Sequence, residues 1–283
     1  MVTRDEVLTA LGQVMDPEIH RPITDLDMVK DVAIGEDGRV AVEVLLTVNL
    51  AAALAAQGHR VAVIDCDIYG FSVPRMLGAT GRPVGFNGMI MPLEAHGVRV
   101  ISIGFFTEGK PVVWRGPMLH RAIQQFLTDV YWGELDYVLA DLPPGTGDVS
   151  ISLAQMLPGA EMLLVTTPQE AAERVAVLAG KFAQQNHMQV AGVIENMSYF
   201  VCPSCDERHH IFGSGGGDTL ARELDTKLLG QVPIDLRLRE GADAGKPLVV
   251  SDPEAPASRA LLEVAAALPP RRGLAGRRLK LLT

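Results

Sequence analysis

From Val48 onward the chain alternates short apolar runs with longer stretches of helical spacing. The apolar runs predict strands at Val61–Asp65, Val98–Ile103, Tyr137–Asp141, Met162–Thr166 and Val190–Glu195. Several have no polar alternation, the pattern of parallel strands covered on both faces. Between and after them, apolar positions recur every three to four residues over 49–57, 118–131, 149–156, 170–186, 217–225 and 256–267, which predicts helices. Strands alternating with helices imply an α/β fold with a doubly wound, mostly parallel sheet, whose ligands bind at the carboxyl ends of the strands.

The first part of the chain follows a different pattern. "TRDEVLTALGQV" has helical spacing, with Thr3 as a cap and Glu6 three residues on. The turn "GEDG" then leads into "RVAVEVLL", whose alternation predicts a strand. One helix and a hairpin are too little to bury a core of their own. The expected organisation is a small α/β segment over 1–47, a main domain over 48–270 and a basic tail over 271–283.

A formal net charge of -9 argues against broad nucleic-acid binding, which needs a basic surface. The basic cluster Arg271–Lys280 reads as a solvated tail, with an acidic partner as the alternative. No apolar run reaches the ~18 residues of a membrane span, and the N-terminus lacks the layout of a signal peptide. A cytoplasmic protein, off the membrane, is expected. The three cysteines, Cys66, Cys202 and Cys205, do not suggest a disulfide framework.

Candidate chemistry lies at the ends of the predicted strands. In "VIDCDIYG" Asp65 and Asp67 project to one side and Cys66 to the other. Asp141 ends a second strand in "YVLADLPPGTGD", with Asp148 after the turn. Carboxylates at strand ends commonly hold Mg²⁺ or its waters beside a phosphate. A lone aspartate there is more often a cap or turn residue, but two such strand ends in one sheet favour the functional reading. Cys66 reads as a small buried hydrophobe.

Cys202 and Cys205, in "CPSCDERHH", admit three readings. Two thiolates from each of two chains can complete the roughly four ligands of a cluster. Zinc can be held by the pair with His209 and His210. A redox pair is the third, without a thioredoxin-like context.

Four stretches, "NLAAALAAQGHRVAVIDCDIYGFSVPRMLG", "VVWRGPMLHRAIQQFLTDVYWGELDYVLADLPPGTGDVSISLAQ", "GVIENMSYFVCPSCDERHHIFGSGGG" and "LLGQVPIDLRLREGADAGKPLVV", resemble the Mrp/ApbC-type iron–sulfur cluster carriers, P-loop ATPases of the MinD-like class. The resemblance covers Val48 to about Leu268, and "DPEIHRPITDLDMVKDVAI" resembles the small domain that often precedes this ATPase. It implies that Asp65 and Asp67 act around Mg²⁺ and the attacking water, that Asp141 is the Walker B carboxylate, that Asn196 meets the adenine ring, and that Cys202 and Cys205 bind the cluster. It also implies a homodimer sharing a 4Fe-4S cluster, Mg-ATP as cofactor, and scaffold and apo iron–sulfur proteins as partners. "VVWRGPMLH", with Trp114 and Arg115, is a further marker of the family, readable as a partner surface or as plain packing.

The departure from the family is the missing loop. A lysine-bearing stretch resembling "GKGGVGKST" is expected before "NLAAALA", and "EVLLTV" stands there instead. "GSGGGD", Gly213–Asp218, carries no lysine and reads as a turn entering a helix; Lys181, Lys227 and Lys246 lack a phosphate-loop context. Thr47 is expected to cap the helix that follows. The implied function is a cluster carrier with impaired ATP binding and hydrolysis. The alternatives are a non-catalytic metal-binding pseudo-ATPase, a zinc protein, or a remnant that does not fold stably.

Overall fold

The computed structural model describes residues 42–67, 71–106, 116–143, 148–157 and 159–268. The expectations for the segment before Val42, for Trp114 and Arg115, for the side chain of Asp148 and for the basic tail lie outside the described residues. Apart from Val42, everything described belongs to one compact unit, Glu43–Thr283.

The first helix, α1 (Val42–Ala56), begins earlier than its apolar spacing predicts. Val42–Leu46 is therefore helical, where the alternation of "RVAVEVLL" predicts a strand. The physical reason lies in what surrounds it. Leu46, Val48, Leu50, Ala51, Ala52, Ala53 and Leu54 are all buried, so α1 is covered around its circumference, as a helix that is apolar on all sides must be. Among its described side chains the one buried polar group, Asn49, is satisfied: its amide donates to the Leu45 carbonyl at 2.8 Å, and its oxygen accepts from the Val249 N–H at 3.3 Å.

β1 (Val61–Asp65) follows and is buried along its whole length. It lies between β5 (Val98–Ser102) and β6 (Tyr137–Asp141), parallel to both. Before β5 come α2 (Val73–Leu77), the hairpin of β2 (Val84–Phe86) and β3 (Met89–Met91), and β4 (Leu93–Ala95), which pairs antiparallel on the β5 edge. α3 (Gly116–Thr128) and α4 (Asp148–Met156) flank β6 in the chain. β7 (Glu161–Thr166), α5 (Glu170–Gln185) and β8 (Gln189–Glu195) form a parallel unit. The chain goes on through β9 (Phe200–Val201), β10 (Arg208–His209), α6 (Gly216–Glu223), β11 (Leu228–Gln231), α7 (Leu236–Asp243), α8 (Leu248–Ser251) and α9 (Pro256–Ala267).

The expected α/β architecture with a mostly parallel sheet is present. Among the described residues the sheet comes in two pieces, ordered β4-β5-β1-β6 and β11-β8-β7. The main core joins them: α1 shares one apolar cluster with Val61 and Val63 of β1, Ile194 of β8, Val232, and Leu261 and Val264 of α9. A second cluster packs Ile64 and Ile101 against Ile123 and Phe126 of α3 and Leu153 of α4. Both parallel units therefore end their strands in the same layered body, and their carboxyl ends carry the polar residues. Among the described residues, no helix is long and apolar enough to cross a membrane.

Candidate functional site

Parallel pairing brings three polar residues into one row. Asp65 at the end of β1 stands opposite Ser102 of β5 on one side and Asp141 of β6 on the other. The Ser102 hydroxyl donates to Asp65 Oδ2 at 2.9 Å, and the Asp67 N–H donates to Asp65 Oδ1 at 3.2 Å. Asp65 is fully buried, and Asp141 is 5% exposed. Burial pushes the Asp65 carboxyl up to about 7; the Asp141 and Asp67 charges add to this, while the bonds from Ser102 and Asp67 oppose it. Cys66 is buried, and its N–H donates to the Asp141 carbonyl at 2.9 Å. Burial pushes its thiol well up, which fits the reading of Cys66 as an inert hydrophobe.

Thr47 has a role other than the expected cap. It lies within α1, and its hydroxyl donates to Asp141 Oδ1 at 2.6 Å. The second turn of α1 thus reaches the acidic row through a hydroxyl. The first turn, Val42–Leu45, holds no lysine, and neither does "GEDGRVA" immediately before it. The donor set is rich in carboxylates and suited to a hydrated cation. Among the described residues this row holds neither a backbone cradle nor a lysine of the kind that grips a triphosphate, so the described residues by themselves do not fit that ligand.

Asn196 follows the end of β8, in the second sheet. Its N–H donates to the Thr166 carbonyl at 2.7 Å, and its side-chain oxygen accepts from the Met197 N–H at 2.9 Å. Beside it is a residue that sequence reasoning missed. Glu195 is 0% exposed, yet its carboxylate is satisfied by the Gly217 N–H at 2.6 Å, by Gln231 Nε2 at 2.8 Å and by the Ser198 hydroxyl. Gly217 must be glycine for this approach, since a Cβ there would fall 2.8 Å from the Glu195 Cβ. "GSGGGD" is, as expected, a turn entering α6, with Gly215 at φ 86. Lys181 pairs on the surface with Glu223 at 2.7 Å.

The cysteines are on a separate element. β9 and β10 form a short antiparallel hairpin whose tip is "CPSCDE". The tip is closed by the Cys202 N–H on the Glu207 carbonyl and the Asp206 N–H on the Cys202 carbonyl, both 2.9 Å. Asp206 takes φ 56 at the turn, a left-handed conformation that Asp tolerates better than most residues. Cys202 is half-buried and Cys205 is exposed. The Ser204 N–H lowers the Cys202 thiol, with the Cys205 thiol and N–H adding to the effect. The hairpin therefore keeps both thiols side by side and open to a ligand.

A family profile described as "NUBPL iron-transfer P-loop NTPase" matches residues 43–269, and one described as "Iron-sulfur cluster assembly protein" matches residues 4–64. The iron-sulfur cluster carrier protein of Mycobacterium tuberculosis is 42% identical over 360 aligned positions, covering 95% of this chain and 94% of the relative. That of Synechocystis is 36% identical over 340 positions, covering 94% and 96%. The 360 aligned positions exceed the 283 residues of this chain, so the mycobacterial relative carries internal sequence that this chain lacks. Among solved structures, a nucleotide-binding protein in complex with ADP from Archaeoglobus fulgidus is similar at TM-score 0.64 and 35% identity, over 75% of this chain and 84% of that one. MinD complexed with Mg-ADP from Pyrococcus horikoshii, at TM-score 0.57 and 20% identity over 80% and 89%, is a likeness of fold.

Proposed function

The chain belongs to the family of iron-transfer P-loop NTPases and Mrp-type iron–sulfur cluster carriers, and on that premise we propose that it binds an iron–sulfur cluster through Cys202 and Cys205 and passes it to apo-proteins. The observation that carries this reading is the hairpin tip, which holds the two thiols together in the open. A cluster takes about four thiolates. The third cysteine, Cys66, is sealed in the core, so one chain offers two. Two chains related by a twofold axis offer four, and the cargo is then a 4Fe-4S cluster shared across a homodimer. Scaffold proteins that supply clusters and apo-proteins that receive them, in the cytoplasm, are the partners of such a carrier.

Asp65, Asp67 and Asp141 fit the switch and Walker B positions of the family's ATPase, and Asn196 fits its adenine contact. The Thr47–Asp141 bond and the lysine-free start of α1 favour a carrier whose ATP binding and hydrolysis are impaired. The residues that would surround a nucleotide remain, and the loop that would grip it does not.

Anaerobic reconstitution with iron and sulfide tests the carrier reading. The expected product is a brown dimer with thiolate-to-iron absorption, and serine at either Cys202 or Cys205 removes both colour and dimer. A coloured monomer refutes the shared cluster. A wild-type chain that stays colourless refutes the carrier.

A further inference from the structure

The cysteine hairpin carries more metal-ligating atoms than a shared cluster uses. The Cys205 Sγ, a Glu207 carboxylate oxygen and a His209 ring nitrogen all lie within 4.8 Å of one another, and all three side chains are exposed. His209 Nε2 stands 4.0 Å from Glu207 Oε2. Cys202 joins them through its thiol–thiol contact with Cys205. Three donors of three chemical types thus converge on one face of one hairpin, and a fourth, the Cys202 thiol, adjoins the Cys205 member of that group.

Strand alternation explains why these residues converge and their neighbours do not. Arg208 and His210 turn to the opposite face, where Tyr199 receives both. The Arg208 guanidinium sits 4.6 Å above the Tyr199 ring, and the His210 ring meets it edge-on at 6.3 Å. His210 is further occupied through Nδ1, 3.1 Å from the Ser198 carbonyl oxygen. The adjacent histidines, which look equivalent in the sequence, therefore have different roles: His210 anchors the hairpin, and His209 faces the thiols.

We propose that a single chain binds one divalent transition-metal ion of the zinc and ferrous-iron class, with Cys202, Cys205, His209 and Glu207 as its four ligands. Two sulfurs, one imidazole nitrogen and one carboxylate oxygen are a donor set for a tetrahedral site. Binding is not a redox step. Two thiol protons pass to solvent, four metal–ligand bonds form, and the ion loses water molecules. Two thiolates and one carboxylate bring three negative charges to a dication, so the ion with its four ligands carries one net negative charge. Because the ion uses both thiols, it excludes the shared cluster from that chain, and the two occupancies compete. The site is built on the same cysteines as the proposed carrier function but needs neither sulfide nor a second chain.

Titrating the full-length, cluster-free chain anaerobically with Co²⁺, with Zn²⁺ as competitor and without sulfide, tests this. One Co²⁺ per chain is expected, with thiolate-to-cobalt charge-transfer absorption, tetrahedral ligand-field bands and a chain that stays monomeric. Zn²⁺ should displace the Co²⁺. Cys205→Ser should at least halve the charge-transfer band, and serine at both Cys202 and Cys205 should remove it. His209→Ala and Glu207→Ala should each weaken binding by at least about tenfold, the least that even an outer hydrogen-bond partner of a ligand contributes. His210→Ala should titrate like the wild type. Half an ion per chain in a dimer, or wild-type affinity in either His209→Ala or Glu207→Ala, overturns the proposal. A colourless wild-type reconstitution with iron and sulfide counts against the carrier reading alone and leaves the cobalt result standing.

Discussion

Asp65 is the most exacting place to test the acidic row, because a fully buried carboxylate must affect stability. It is 0% exposed at the end of β1, with Asp141 beside it in register. Its carboxyl is pushed from 3.8 to about 7, chiefly by burial. Such a group is protonated in both folded and unfolded chains below its ordinary range, and folding is least burdened there. As pH rises from about 4 to 7 the unfolded chain ionises freely while the folded chain resists, so stability falls; the loss levels off above about pH 8. At up to about 1.4 kcal/mol for each pH unit, the loss totals roughly 4 kcal/mol, with about 2 kcal/mol of it between pH 5 and 7. Asp65→Asn removes the charge and keeps the shape. Its carbonyl can accept the Asp67 N–H, and the Ser102 hydroxyl can turn to accept from the amide. Urea unfolding of both proteins from pH 5 to 8, without nucleotide or Mg²⁺, isolates the effect, since other carboxylates contribute equally to each. The variant should gain on the wild type by about 3 kcal/mol across that range. A difference that stays flat with pH, or that moves in favour of the wild type as pH rises, refutes the argument.

Millimolar Mg·ATP should leave the melting temperature unchanged, where a competent site would add about 2.7 kcal/mol at a hundredfold excess over its dissociation constant. A grafted "GKGGVGKST" loop with its preceding strand ahead of Val48 should restore binding and hydrolysis, and Asp141→Ala in that graft should impair hydrolysis again. Phosphate release by the ungrafted chain that disappears in Asp67→Ala would show that another segment grips the phosphates. Glu195→Gln turns an amide N–H₂ toward donors that now meet a carboxylate, and should cost about 1–3 kcal/mol in urea unfolding; an unchanged midpoint would mean the network contributes nothing. Leu54→Ala, at a position 0% exposed on α1, should cost about 2–5 kcal/mol, and a loss below about 1 kcal/mol would mean that α1 is not central to the core.

Hydrophobic pattern alone located five of the six parallel strands among the described residues and the longer helices, because strands buried on both faces leave unbroken apolar runs and amphipathic helices leave a 3.6-residue period; it missed β11 and the short helices α2, α7 and α8. It misassigned Val42–Leu46, whose alternating valines suit a strand locally. In the fold these residues extend a helix enclosed by β1, β8 and α9, and packing outweighs a weak local preference. The acidic strand ends and the cysteine pair were legible as residue types at a spacing. Their partners were not. Ser102 reaches Asp65 across 37 residues and Thr47 reaches Asp141 across 94. Glu195 has no role in the sequence pattern beyond ending a strand; its partners come from α6 and β11, which close over it. His209 and His210 are interchangeable in a string of letters. The two faces of a hairpin separate them, placing one beside the thiols and the other against Tyr199, because each residue along a strand turns its side chain to the side opposite its neighbour's.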